Sequence, residues 1–304
     1  RHRMARRCFI LKKPIFSGVA TALVTPFSDG KLDLAAYDRL LETQHDVQAL
    51  VVTGTTGESP TLTGAEKAAL WRHTAQRKHG GCKVIAGVGT NCTAESVRQA
   101  RIARDCGVDA LLAVTPYYNK CTQAGLVEHY SAIADATELP LLLYNVPSRT
   151  GVNLLPETCK ILSEHPSING VKEAGGDLKQ VAAIRKLCGN ALNIWSGNDD
   201  QTAAVMALGG QGVISVLSNV RPKAAAALTA AALAGEDATA AALQARYLPL
   251  IAALFSEVNP IPVKAALQAM GLCSEELRLP LTPISAGNRA ALHAALLACP
   301  ELTS

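Results

Sequence analysis

Apolar residues along this chain gather in short runs, and each run gives way to a stretch with a different rhythm. The runs are VATALVTP (19–26), ALVVTG (49–54), KVIAGVG (83–89), ALLAVTP (110–116), PLLLYNVP (140–147), INGVKEA (168–174), LNIWSGN (192–198) and QGVISV (211–216). Most are apolar at consecutive positions, as strands covered on both faces must be. The stretches between them carry apolar residues at helical spacing; 95–107 and 126–140 are examples, ending at Gly107 and Pro140. Strands that alternate with helices pair in parallel through right-handed crossovers. Eight such units predict an α/β fold, a closed (β/α)8 TIM barrel. An open doubly wound sheet is the second choice, weakened because no Gly-x-Gly-x-x-Gly follows the first strand.

After about residue 222 the strand signals stop. KAAAALTAAALAGEDATAAALQARYLPLIAALF predicts helices broken at Gly235, and NPIPVKAALQAMG predicts a turn entering a helix. ISAGNRAALHAALLA predicts a last helix capped by Ser285. The expected organisation is a basic tail at 1–13 (disordered, or in part a non-native remnant), a catalytic barrel at 14–235 and a small C-terminal helical domain at 236–304.

Composition changes the picture in three places. With 304 residues, 49% of them hydrophobic, a sizeable core is assured. No apolar stretch reaches the ~18 residues of a membrane helix, so no membrane partner is expected. The net charge of +4 misleads: residues 1–13 hold six Lys/Arg and no acid, and the remainder has 23 basic against 25 acidic residues. No basic stripe interleaved with aromatics is present, which argues against a nucleic-acid partner. The basic start followed by IFSGVATALV imitates a secretory signal, but Pro14 interrupts it and the apolar part reads as a first strand. Nine cysteines without a C-x-x-C pair suit a reduced, cytoplasmic protein. Seven histidines show no ligand spacing, so no metal is expected.

In a barrel of this kind chemistry sits at the C-terminal ends of the strands. GTTGES (54–59), TPYYNK (115–120), YNVPSRTG (144–151), SGND (196–199) and ISVLSN (214–219) all fall there. Lys172 lies inside an apolar run. A lysine there can reach solvent along its stem; alternatively, an amine kept partly dry gives up its proton and becomes a nucleophile. Neighbouring strands lie ~4.8 Å apart, which brings the Tyr144 phenol near Lys172. Alternation places Ile168, Gly170 and Lys172 on one face, and Gly170 is expected to leave room for a small substrate below the lysine. Glu173 is expected to face outward and to be structural. An amine beside a phenol and hydroxyls suits Schiff-base chemistry with a carbonyl compound. Tyr and Thr hydroxyls can shuttle the protons, and Arg149 can hold a carboxylate with two hydrogen bonds. Each piece has a plainer reading: GTTGES as a helix start, YYN as a packed aromatic surface, Arg149 as a surface pair. Their convergence on one end of the barrel favours a site.

GTTGES, TPYYNK, YNVPSRTG, KEA, SGND, GVISV and NPIPVK, in that order over about residues 14–298, resemble the dihydrodipicolinate synthase family. That family belongs to the class I pyruvate-dependent aldolases, with the N-acetylneuraminate lyases. The resemblance implies a lyase that condenses pyruvate with (S)-aspartate 4-semialdehyde to give 4-hydroxy-tetrahydrodipicolinate for diaminopimelate and lysine synthesis. It implies a Schiff base on Lys172, a proton relay of Tyr144, Thr55 and Tyr118, with Tyr118 supplied by an adjacent subunit, and no cofactor. Thr56 would hold the pyruvate carboxylate and Arg149 that of the semialdehyde. Gly197 and Ile214 would contribute backbone groups near the lysine. A homo-oligomer, usually a dimer of dimers, is implied as well. Arg149 separates this reading from the neuraminate lyases, whose aldehyde is a neutral sugar; another 2-oxo acid aldolase and a non-catalytic barrel remain the alternatives.

Two departures from the family pattern stand out. ETQHDVQAL (42–50) is shorter than usual and lacks a glycine, a distortion expected at the end of the barrel remote from the site. The implied L-lysine effector site matches at Ser59, Asn91, Glu95 and Tyr117, but Pro60, Gly64 and Lys67 replace residues that commonly assist, including a histidine pair. Lys67 would face a cationic effector at a cost of ~1–4 kcal/mol, so weak or absent inhibition is expected.

Overall fold

The computed structural model describes residues 11–302. Eight parallel strands close on themselves in sequence order: β1 (Gly18–Ala22), β2 (Ala49–Val52), β3 (Lys83–Gly87), β4 (Ala110–Val114), β5 (Leu141–Asn145), β6 (Ile168–Glu173), β7 (Asn193–Ser196) and β8 (Gly212–Ser215). Each apolar run of the sequence contributes one strand. Nearly every strand residue is buried, because helices cover the outside and side chains fill the inside. The β8–β1 seam is tight: a Cβ on Gly212, which has φ +149°, would lie 1.8 Å from the Gly18 carbonyl oxygen. Only glycine permits that closure.

Helices α1 (Leu34–Glu42), α2 (Gly64–Arg77), α3 (Thr93–Asp105), α4 (Gln123–Asp135), α5 (Pro156–Leu162), α6 (Leu178–Cys188), α7 (Thr202–Ala207) and α8 (Pro222–Leu233) follow the eight strands in turn. Caps set several starts. Thr63 and Glu66 form a reciprocal capping box at α2, and Asp33, Thr122 and Asp177 accept from the first turns of α1, α4 and α6. Gly235, at φ +78°, turns the chain into α9 (Asp237–Leu254), α10 (Ile261–Ala269) and α11 (Ala286–Ala298). Ser285 stands at the start of α11, but its hydroxyl donates to Glu257 at 2.6 Å instead of capping the helix.

The C-terminal helices share a core with α1 and with the turn after β8: Leu40, Val216, Leu217, Tyr247, Leu250, Val263 and Leu292 are all buried in it. Buried Arg221 ties the two parts together by donating to the carbonyls of Cys299 (2.7 Å) and Leu296 (2.9 Å) at the end of α11. Among the described residues no helix is long and apolar enough to cross a membrane.

The expected basic tail lies mostly outside the described residues. At its end, however, Lys12 is buried, and its ammonium donates to the carbonyls of Ser163, His165 and Ile168 at 2.7 Å each. The short α1–β2 connection lies at the N-terminal ends of the strands. Gln48 Oε1 accepts from Val19 N at 2.7 Å and occupies the space where a Gly18 side chain would be; Gln44 is buried against Thr21 Oγ1 at 2.6 Å.

Candidate active site

Strand register brings the central pair together. Tyr144 on β5 is the direct partner of Lys172 on β6, and Lys172 in turn pairs with Trp195 on β7. Lys172 is 7% exposed, its Nζ 4.3 Å from the centroid of the Tyr144 ring. That is cation–π distance for the ammonium form. Among the described residues nothing hydrogen-bonds this nitrogen. Gly197 is packed against the lysine stem: a Cβ there would lie 3.0 Å from Lys172 Cε and 2.6 Å from the Ala174 Cβ.

Gly170 does a different job from the one expected. The room it leaves is filled by the indole of Trp195, whose Cζ3 would lie 2.4 Å from a Cβ at 170. Trp195 stacks on Phe16, with ring centroids 4.9 Å apart, so the space below the lysine is packed and no substrate fits there. Ile214 joins the same interior cluster.

A cavity of about 230 Å3 opens beside Tyr144 at the C-terminal end of the barrel. Its wall includes Thr55, Tyr144 and Arg149, together with Ser59, Lys67 and Tyr117. Lys172 does not itself line it, but the ring it touches does. The GTTGES turn is held by strained and tightly packed backbone. Thr53 and Glu58 both have positive φ, and a Cβ at Gly57 would lie 3.1 Å from the Thr53 backbone. Thr53 Oγ1 accepts from Trp71 Nε1 at 2.8 Å and donates to the Gly87 carbonyl at 3.2 Å. Arg149 sits on the helical turn Pro147–Thr150, anchored by a bond from Thr115 Oγ1 to Thr150 Oγ1 at 3.0 Å. Tyr118 has φ +69° and is 90% exposed.

At the expected effector positions, Glu95 is already engaged. It accepts from Arg98 Nη2 and Nε (2.7 Å each) and from Gln99 Nε2 (2.8 Å), and the hydrogen bonds from Arg98 pull its pKa to about 2. Burial lowers the pKa of Lys67 beside it. The Asn91 carbonyl accepts from Asn119 Nδ2 at 3.0 Å.

Four buried polar residues stand near the site: Asp199, Asn259 and Lys264, to which the sequence assigns no role, and Glu173, which it reads as outward and structural. Asp199, within SGND, accepts from Ser215 Oγ (2.5 Å) and from the amides of Val216 and Leu217 (2.9 and 3.0 Å), bracing the turn after β8. Burial pushes its pKa up, opposed first by the Ser215 hydrogen bond and the two amides and only then by nearby Lys172. Glu173 faces outward as alternation requires, yet is buried. It accepts from Asn145 Nδ2, Gly175 N and Gln180 Nε2, which fixes β5 to β6 beside the lysine. Asn259 and Lys264, from the NPIPVK segment, reach the GTTGES turn; only the motif's presence hinted at that.

The sequence profile of the Dihydrodipicolinate synthetase family matches residues 15–299. The chain belongs to this family. It is 51% identical to the 4-hydroxy-tetrahydrodipicolinate synthase of Alkaliphilus oremlandii over 277 residues, 90% of this chain and 96% of that one. Among solved structures it superposes on a monomeric dihydrodipicolinate synthase variant with a TM-score of 0.92 at 45% identity, covering 94% of this chain and 97% of the other. It also superposes on the Cyanidioschyzon merolae enzyme solved with lysine bound, with a TM-score of 0.90 at 40% identity, covering 94% and 99%. Family membership extends over the barrel and the C-terminal helices alike.

Proposed function

We infer that this chain catalyses the 4-hydroxy-tetrahydrodipicolinate synthase reaction, condensing pyruvate with (S)-aspartate 4-semialdehyde. The observation that carries the reading is the pairing of Tyr144 with a buried Lys172 beside a cavity walled by Thr55 and Arg149. In this reading Lys172 Nζ adds to C2 of pyruvate, and the carbinolamine loses water to give an imine. Loss of a C3 proton gives the enamine. Its C3 bonds to the aldehyde carbon, whose oxygen takes up a proton. The amino group of the semialdehyde portion then attacks the imine carbon, closes the ring and releases Lys172. Tyr144, Thr55 and Tyr118 pass the protons. Thr56 holds the carboxylate of pyruvate, Arg149 that of the semialdehyde, and the backbone at Gly197 and Ile214 borders the adduct. The lysine is itself the electron sink, so the reaction uses no metal or organic cofactor.

Tyr118 stands out from the surface, as a side chain reserved for a second copy would. The reading therefore takes the working form to be a homo-oligomer, a dimer of dimers, in the cytoplasm. The barrel at 14–235 supplies the chemistry and the helices from 236 onward brace it.

A panel of aldehydes tests the substrate. Aspartate semialdehyde should give the highest turnover, and Arg149→Ala should hurt that turnover far more than adduct formation with pyruvate. A neutral sugar aldehyde or another 2-oxo acid partner performing better would make this a different pyruvate aldolase. Failure to react with pyruvate at all would make it a non-catalytic barrel.

A further inference from the structure

Thr56 and Arg149, given above to the two substrate carboxylates, are joined by one residue from outside the barrel. Asn259 lies between α9 and α10, 203 residues along the chain from Thr56. Its Nδ2 donates to Thr56 Oγ1 at 2.9 Å, and its backbone carbonyl accepts from Arg149 Nη2 at 3.4 Å. Asn259 is 7% exposed and Thr56 3%. We propose that Asn259 is a positioning residue for pyruvate: it occupies the Thr56 hydroxyl as an acceptor and so leaves that hydroxyl's proton for the substrate carboxylate. This rests on the function inferred above.

The argument is one of hydrogen-bond inventory. An amide N–H can only donate, and a threonine hydroxyl has a single proton to give. With Nδ2 on its lone pair, Thr56 must send that proton elsewhere. Among the described residues its side chain makes no other hydrogen bond. A buried donor without an acceptor is costly, and a carboxylate, which only accepts, relieves that cost. A site so arranged favours a 2-oxo acid over the corresponding ketone or amide.

The amide is held at this spot by its surroundings. Five residues on, the Lys264 ammonium donates to Glu58 Oε1 (2.8 Å), the Thr25 carbonyl (2.9 Å) and the Glu276 carbonyl. Glu58 belongs to the same turn as Thr56. The NPIPVK segment therefore grips that turn at two points, one charged and one neutral. Asn259 Oδ1 is buried and has no partner.

The test is the pyruvate dependence of adduct formation, trapped by borohydride, for wild type, Asn259→Asp, Asn259→Ala, Thr56→Val and Asn259→Ala combined with Thr56→Val. Aspartate can only accept, so it takes the Thr56 proton. The half-saturating pyruvate concentration should rise roughly ten- to a hundred-fold in Asn259→Asp and less in Asn259→Ala. The limiting trapping rate and the KM for the semialdehyde should change little. In the Thr56→Val background Asn259→Ala should add almost nothing, because the residue acts through that hydroxyl. If Asn259→Asp does not fold, the alanine variant and its cycle with Thr56→Val decide the matter alone. Unchanged pyruvate dependence in a folded variant, or full additivity in the cycle, overturns the proposal and leaves the inferred function standing. Absence of any adduct in wild type overturns both.

Discussion

Lys264 and Glu58 form an ion pair shut off from solvent: Nζ to Oε1 is 2.8 Å, and the two side chains are 0% and 1% exposed. The pair welds α10 to the turn that carries Thr55 and Thr56. Removing one partner leaves a buried charge unmatched, which typically costs ~3–5 kcal/mol. Lys264→Met should therefore lower unfolding stability by about that much in denaturant titrations. In the fraction that folds, activity should fall as well, because the turn loses its brace. A variant with unchanged midpoint and activity would show that the pair does not hold the turn.

Glu66 and Arg278 make a second link between α2 and the C-terminal segment, with contacts of 2.5 and 2.9 Å. Arg278 also stacks on Phe27 at 4.4 Å. The hydrogen bonds from Arg278 pull the Glu66 pKa from its usual 4.5 to about 2. A carboxylate depressed in the folded state stabilises the fold above its ordinary pKa and loses that contribution as pH falls through its folded value. Stability measured from pH 5 down to pH 2 should fall less steeply in Glu66→Gln than in wild type. Parallel curves would contradict the assignment.

Gly197 is a steric requirement of the site. An added methyl would press on both the Lys172 stem and Ala174. Gly197→Ala should cost roughly 1–3 kcal/mol in stability. It should slow adduct formation with pyruvate more than the stability loss explains, since the lysine itself must shift. A folded variant trapping at the wild-type rate would remove that role.

L-Lysine should inhibit weakly or not at all. At the expected effector positions Glu95 is occupied by Arg98 and Gln99, and the Lys67 amine lies beside it. Initial rates with added L-lysine should stay level well into the millimolar range. A sharp loss below one millimolar would refute this.

The barrel was legible because each strand is a local event: a consecutive apolar run is visible within eight residues, and the order of runs sets the order of strands. Tyr144 and Lys172 were legible for the same reason, since sequential strands are neighbours. Asn259 and Lys264 were not, because their partners lie about two hundred residues away and nothing in NPIPVK encodes the distance. Gly170 was misread because a glycine declares an absence of bulk but not what fills it; Trp195 comes from the next strand. Lys12 looked like part of a basic tail, and only the backbone turn at 163–168 turns its ammonium into a buried anchor.

The central claim is that Lys172 bonds covalently to pyruvate. Wild-type protein incubated with pyruvate, reduced with borohydride and mapped by peptide mass spectrometry measures it directly. The expected result is one reduced pyruvate adduct per chain on Lys172, lost in a folded Lys172→Arg variant. No adduct, or an adduct on another lysine with Lys172 unmodified, would contradict the account.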